Sequence, residues 1–191
     1  MNGTVIACIV VGIVLFTIAY IIKEYNGFIV LKNRVENQGS QIDVQLKRRA
    51  DLIPNLIETT KGYANFERET LTTVTKLRNT MLNASNTDEA YQANVELNHT
   101  LARIMAISEK YPELKANANF LRLQDELSDT EDKIAKARQF YNDVVSKYNT
   151  QIMLFPKSII ANMFGFRKNA LLEASMSEKE SIKMDSDTFQ F

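Results

Sequence analysis

The chain has 191 residues, 45% of them hydrophobic, with only six Gly and three Pro. That is enough to bury one core, but sheet-rich folds need a turn former every ten residues or so, and the supply here points instead to a small number of long helices. Twenty-three basic and twenty-three acidic residues cancel, which removes the net-charge argument for nucleic acid, and a single cysteine excludes a disulfide framework within one chain.

Residues 4–22, TVIACIVVGIVLFTIAYII, hold no charge across nineteen positions. A helix of that length covers about 28 Å, close to a hydrocarbon core about 30 Å thick. Thr4, Ile6, Cys8, Ile13, Leu15, Phe16, Tyr20 and Ile22 mark this predicted membrane anchor. A cleavable signal peptide wants a basic start, a shorter apolar run and a small-x-small cleavage site, whereas this run begins at Thr4 and ends in Ala19-Tyr20-Ile21-Ile22. Val5-Ile6-Ala7-Cys8 is similar to a bacterial lipoprotein box, but that box follows its apolar stretch and here precedes it, so Cys8 reads as a small packing residue. Lys23, Lys32 and Arg34 lie downstream with no basic residue upstream, which by the positive-inside rule places the bulk of the chain in the cytoplasm.

From Phe28 onward, Leu31, Val35, Ile42, Leu46, Ile53 and Leu56 draw one apolar stripe at helical spacing, so the anchor is expected to run directly into a first helix. The stripe continues through Tyr63, Leu71, Val74, Leu77 and Met81 and stops at Asn83-Ala84-Ser85-Asn86-Thr87-Asp88, a cluster of turn formers. Pro54 interrupts it by removing a backbone donor and crowding the carbonyl four residues back. Asp51 stands where it would cap a restarted helix, but no Gly, Ser or second Pro between Ser40 and Asn55 builds a reversal, so a kinked continuation is preferred to a hairpin. Lys47, Arg48 and Arg49 lie about 36 Å of helix beyond Lys23, out of reach of the membrane surface. Arg48 and Arg49 read as partners for acids on other helices, such as Asp125, Glu126 or Glu131, or as a solvated charged face.

A second helix is expected over residues 88–109, with Tyr91, Val95, Leu97, Leu101, Ile104 and Met105 on its apolar face. Tyr111-Pro112-Glu113 breaks it, and a third opens near Asn117 and runs to Phe155-Pro156. The apolar segment that follows contains Ile152, Leu154, Phe155, Ile159, Ile160, Met163, Phe164 and Phe166 and is too short to span a bilayer. Three fates are open to it: capping the bundle core, contact between subunits, or a place at the lipid surface with Arg167 and Lys168 against headgroups. The last requires the end of the third helix to return towards the anchor. The polar composition after Ser175 predicts a mobile tail.

Glu96-Leu97-Asn98-His99 has the Glu-x-x-His spacing of helical di-iron sites, but those need a second such motif and two more glutamates, and His99 is the only histidine. Nucleophilic triads, zinc sites and phosphate loops all lack parts, so no metal, cofactor or catalytic residue is expected. Carboxylate pairs such as Glu67 with Glu69 and Asp129 with Glu131 read as soluble helix surface. Tyr-Asn dipeptides at 25, 141 and 148 read as packed tyrosines whose polar tips meet neighbouring amides.

The stretches EYNGFIVLKNRVENQGSQIDVQLKRRADLIPNLIETTKGYANFE, YPELKANANFLRLQDELSDTEDKIAKARQFYNDVVSKYN and FPKSIIANMFGF, in this order behind an apolar N-terminal run, resemble the bacterial LemA family over residues 20–170. The resemblance implies a single-pass protein of the bacterial cell membrane with a helical bundle domain and no established enzymatic activity or cofactor. Arg48, Arg49, Asp51, Pro54 and Asn55 fall in its first motif, as structural residues. Gene neighbourhoods of the family suggest a TPM-domain membrane protein as partner and work at or beyond the envelope membrane, which opposes the positive-inside reading and leaves the side open. The expected fold is all-α: an N-terminal transmembrane helix at residues 1–24 continuing into an antiparallel bundle of three to four long helices at 25–170, then a tail at 171–191. The expected role is interaction or scaffolding, with the lipid bilayer and further copies of the chain as partners and no catalysis. Its competitors are a membrane-shaping protein that uses residues 152–166 as a second lipid contact, and a metal-binding or enzymatic bundle.

Overall fold

A computed structural model of the chain describes residues 3–61, 63 and 68–172, the side chains of Thr4 and Val5 excepted. The tail beyond 172, and Glu67 of the first carboxylate pair, lie outside the described residues. Among those residues there are six helices and no strand: α1 Gly3–Lys61, α2 Arg68–Leu82, α3 Thr87–Ser108, α4 Pro112–Lys115, α5 Ala118–Met153 and α6 Lys157–Met163. The fold is all-α. The apolar N-terminal run and the first bundle helix are one uninterrupted helix that passes through Pro54 without a restart.

The stripe expected to run to Met81 is instead shared by two helices. α1 stops at Lys61, where the Tyr63 N–H donates to the Thr60 carbonyl at 3.1 Å, and α2 begins at Arg68. Gly62 follows Lys61 directly, and glycine is among the weakest helix formers. The periodicity did not register the reversal because both halves of the stripe face one core.

The chain forms two compact units, Gly39–Gln139 with Leu172–Phe191, and Met1–Gln38 with Phe140–Leu171. In the first, Ala50 of α1 meets Arg78 of α2, while Leu46 and Met81 share a groove, so these helices run antiparallel. Asp43 meets Thr87 and Arg49 meets Asn94, which sets α3 parallel to α1. Asn98 meets Glu131 and Tyr91 meets Arg138, so α5 opposes α3. This is an up-down-up-down bundle of four helices. Its core is built from Ile42, Leu46, Ile53 and Leu56 of α1, Val74 of α2, Leu97 and Ile104 of α3, and Phe120, Leu127 and Ile134 of α5, all buried. Each such side chain contributes about 1.5–3 kcal/mol of transfer free energy.

The turn into α3 is fixed by a reciprocal cap. Asn86 Oδ1 accepts from the Glu89 N–H at 2.9 Å, and the Glu89 carboxylate accepts from the Ser85 N–H at 2.9 Å and the Ser85 hydroxyl at 2.8 Å. The backbone bond from Ser85, followed by its hydroxyl, holds the Glu89 carboxyl below its ordinary value. Asn117 caps α5, its Oδ1 accepting from the N–H groups of Asn119 and Phe120.

In the second unit α1 changes character along its length. Ile6, Leu15 and Phe16 are 62%, 62% and 75% exposed, whereas Phe28 and Val35 are buried. The buried cluster joins Phe28 and Val35 to Val145, Tyr148 and Ile152 of α5 and to Ile160 and Ala161 of α6, with Tyr20, Ile21 and Leu31 packed around it.

Candidate functional site

The unit that holds the apolar run places α6 against its downstream end. α5 ends at Met153, the Phe155–Pro156 bond is cis, and α6 opens at Lys157. Lys157 Nζ lies 3.0 Å from Glu24 Oε2 and donates to Gln151 Oε1 at 2.7 Å. The Glu24 and Lys157 side chains are only 11% and 28% exposed, so the pair is more shielded from salt than a surface ion pair. Tyr25 meets Phe164 edge-on at 4.9 Å between ring centres and Phe166 at 5.7 Å, and Phe166 lies 5.1 Å from Phe28. Aromatic pairs in such tilted geometry add to what their buried area contributes.

What returns Phe166 to α1 is the end of α6. The Phe166 N–H donates to the Ala161 carbonyl at 2.9 Å and the Gly165 N–H to the Asn162 carbonyl at 3.2 Å, the two bonds of a Schellman motif, with Gly165 at a φ of 74°. A Cβ built on Gly165 meets nothing within 4 Å, so the demand for glycine is conformational rather than steric. Gly165→Val is expected to cost about 1–2 kcal/mol in backbone strain and to free Phe166 from the aromatic group. A lower Tm of the full chain in detergent together with a weaker near-ultraviolet circular dichroism signal checks this; an unchanged signal would show that the motif does not position Phe166.

Beyond Phe166 the chain runs back along α5. Asn149 Nδ2 donates to the Asn169 carbonyl at 2.9 Å, and the Asn169 N–H donates to Asn149 Oδ1 at 3.0 Å. The amide of a Tyr-Asn dipeptide therefore holds a backbone, rather than satisfying a tyrosine tip as its sequence suggests. Tyr148 beside it is 2% exposed, and burial pushes its hydroxyl pKa up.

The predicted segment 152–166 is divided by this arrangement. Ile152 and Ile160 cap the buried cluster and Phe166 packs against it, whereas Phe155 is 82% exposed, Met163 60%, Ile159 59%, Phe164 48% and Leu154 46%. Of the predicted anchor residues, Ile6, Ile13, Leu15, Phe16 and Ile22 are exposed large apolar side chains, Cys8 is exposed, and Tyr20 packs on the cluster; the side chain of Thr4 is outside the described residues.

The other unit gathers the family motif. Arg49, 4% exposed, pairs through one guanidinium nitrogen with both Glu131 Oε2 and, at 2.9 Å, Asn94 Oδ1. Asn98 Nδ2 donates to the other Glu131 oxygen at 2.9 Å. Burial lowers the pKa of the guanidinium from its ordinary value, and the Glu131 charge and hydrogen bond oppose that shift. Arg49 Nε, Asn94 Nδ2 and Asn98 Oδ1 are buried without a partner among the described residues, so the junction carries two further donor groups and one acceptor. Arg48 lies 3.8 Å from Asp129 with both side chains about half exposed, a weak pair. Asp129 itself is held below its ordinary pKa by its hydrogen bond to Lys133.

Pro54 has a consequence that its kinking tendency does not announce. The carbonyl four residues back belongs to Ala50, and Arg78 Nε of α2 donates to it at 2.9 Å. The bond that proline cannot make within the helix is made between helices. Ala50 is fully buried at this approach. Asp51 and Asn55 are exposed; Asp51 caps nothing, because α1 continues past it, and Asn55 lines a shallow polar groove with Glu58, Asn119 and Arg122. Glu96 and His99 lie exposed on α3, and no group of three His, Cys, Asp or Glu side chains comes together among the described residues.

These features define, among the described residues, an all-α chain with one helix long and apolar enough to cross a bilayer. The chain belongs to the LemA family, whose model matches residues 38–185. It is 30% identical to "Protein LemA" of Metamycoplasma hominis over 155 residues, covering 79% of this chain and 69% of that protein. It is also 24% identical to "Magnetosome protein MamQ 2" of Paramagnetospirillum magneticum, covering 87% of this chain and 72% of that protein. "Magnetosome protein MamQ" of Magnetospirillum gryphiswaldense is 24% identical over 85% of this chain and 69% of its own length.

Proposed function

We propose that the chain is a single-pass protein of the bacterial cell membrane, anchored by residues 4–22, whose bundle acts by binding other proteins, further copies of itself included, and not by catalysis. The observation that carries this reading is the contrast along α1. Its apolar residues are exposed from Ile6 to Ile18 and buried at helical spacing from Phe28 onward. A core helix of a soluble protein would bury the first stretch as well. Membership of the LemA family, with relatives that include magnetosome proteins, supports a membrane-associated role. Tethering in two dimensions raises the effective concentration of copies, and Val44 and Leu121 leave apolar area on the bundle surface for contact. A TPM-domain membrane protein is the partner class that the family resemblance suggests.

Light scattering of the detergent-solubilised full chain tests self-association: oligomers that build up with concentration are expected, and a strict monomer at every concentration would end that part of the proposal. Release into the soluble fraction by alkaline carbonate would end the anchoring part.

A further inference from the structure

We infer that the turn and short helix spanning residues 153–166 form a second membrane contact, an apolar rim seated in the headgroup region of the bilayer that α1 crosses. The inference rests on the anchor proposed above and adds to it a lipid-binding surface on the folded domain.

Position carries the first part of the argument. The uncharged run ends at Ile22, and Tyr20 and Ile21 in its last turn already pack on the cluster that holds Ile152 and Ile160. Glu24 is ion-paired to Lys157, and Tyr25 meets Phe164 edge-on. At about 1.5 Å per residue these contacts fall within one turn of the end of the span. With α1 across the bilayer, α6 is held at the lipid surface.

Orientation carries the second part. α6 turns Ile160 and Ala161 inward and leaves Ile159 and Met163 outward, while the end of α5 presents Met153 at 52% exposure and the turn between the two helices presents Phe155 at 82%. Such a short amphipathic face buries 5–10 Å into the boundary between headgroups and chains in typical interfacial helices.

Charge carries the third part and decides between occupants. Across residues 16–28 and 152–171 the basic residues are Lys23, Lys157, Arg167 and Lys168, and the one acid is Glu24, which Lys157 neutralises. Lys23, Arg167 and Lys168 are exposed. A rim of this sign suits the phosphates of anionic lipids. A second copy docked by the same face about a two-fold axis would set these cations against their own images.

The sequence has no tryptophan, so Phe155→Trp and, separately, Phe16→Trp each give the full chain a single reporter. Both are reconstituted in vesicles of phosphatidylethanolamine and phosphatidylglycerol, with and without bromine on the upper acyl carbons, and helicity is matched by circular dichroism. Both reporters are expected to be quenched by bromine, and quenching at Phe155→Trp is expected to weaken when Arg167→Glu and Lys168→Glu are added. Quenching at Phe16→Trp without quenching at Phe155→Trp overturns the inference and leaves the anchor standing. A blue-shifted but unquenched Phe155→Trp also overturns it and points to a second copy as the cover. No quenching at either position removes the anchor, and the inference with it.

Discussion

Glu131→Ala is expected to lower the stability of the full chain in detergent by about 3 kcal/mol, the lower end of what removing one partner of a buried ion pair costs, because the Glu131 side chain is itself 35% exposed. For a chain of this length that corresponds to a fall in Tm of about 6–12 °C. The cause is not the lost attraction alone. Arg49 is 4% exposed and would keep its charge with Asn94 as its remaining partner, while the Asn98 amide would lose its acceptor. Arg49→Met combined with Glu131→Met removes both charges, so most of the loss should return. If the double variant is as unstable as Glu131→Ala, the junction acts through shape rather than charge. Thermal melts of the two variants and of the unaltered chain, followed by circular dichroism, decide this.

Arg78→Met is expected to cost about 1–3 kcal/mol, because it strips the Arg78 Nε donor from the carbonyl of the buried Ala50. The second arm of this experiment is Pro54→Ala, which restores an N–H one turn beyond that carbonyl. In a Pro54→Ala background the helix can satisfy its own carbonyl, so Arg78→Met should cost about 1 kcal/mol or less. Guanidinium denaturation of the four members of the cycle measures the coupling. Equal costs of Arg78→Met in both backgrounds would show that the proline and the arginine act independently.

The helices were legible in the sequence where a local signal marked them. Asn86 and Asn117 announce the starts of α3 and α5, and a run of nineteen uncharged residues announces the apolar part of α1. The break after Lys61 was not legible, since apolar spacing records burial and not chain direction. For Arg49 the sequence offered acids such as Asp125, Glu126 or Glu131 beside a solvated charged face, and helix phase alone did not choose Glu131, because the choice depends on how α5 is rotated against α1. Arg78 went unnoticed although the sequence holds its cue. A proline inside a helix names the carbonyl four residues back as needing a donor from elsewhere, here Ala50. In residues 152–166 every apolar side chain looked alike, and only the packing of α6 on Phe28 and Val145 separates Ile160 from Ile159.

Asn149 grips Asn169 by its main-chain N–H and C=O, copying with one side chain the two-bond pattern by which neighbouring strands recognise each other. Nothing in that grip reads the identity of residue 169. Position 169 is thus free to drift in composition as its surroundings require, while position 149 must remain an amide of one length.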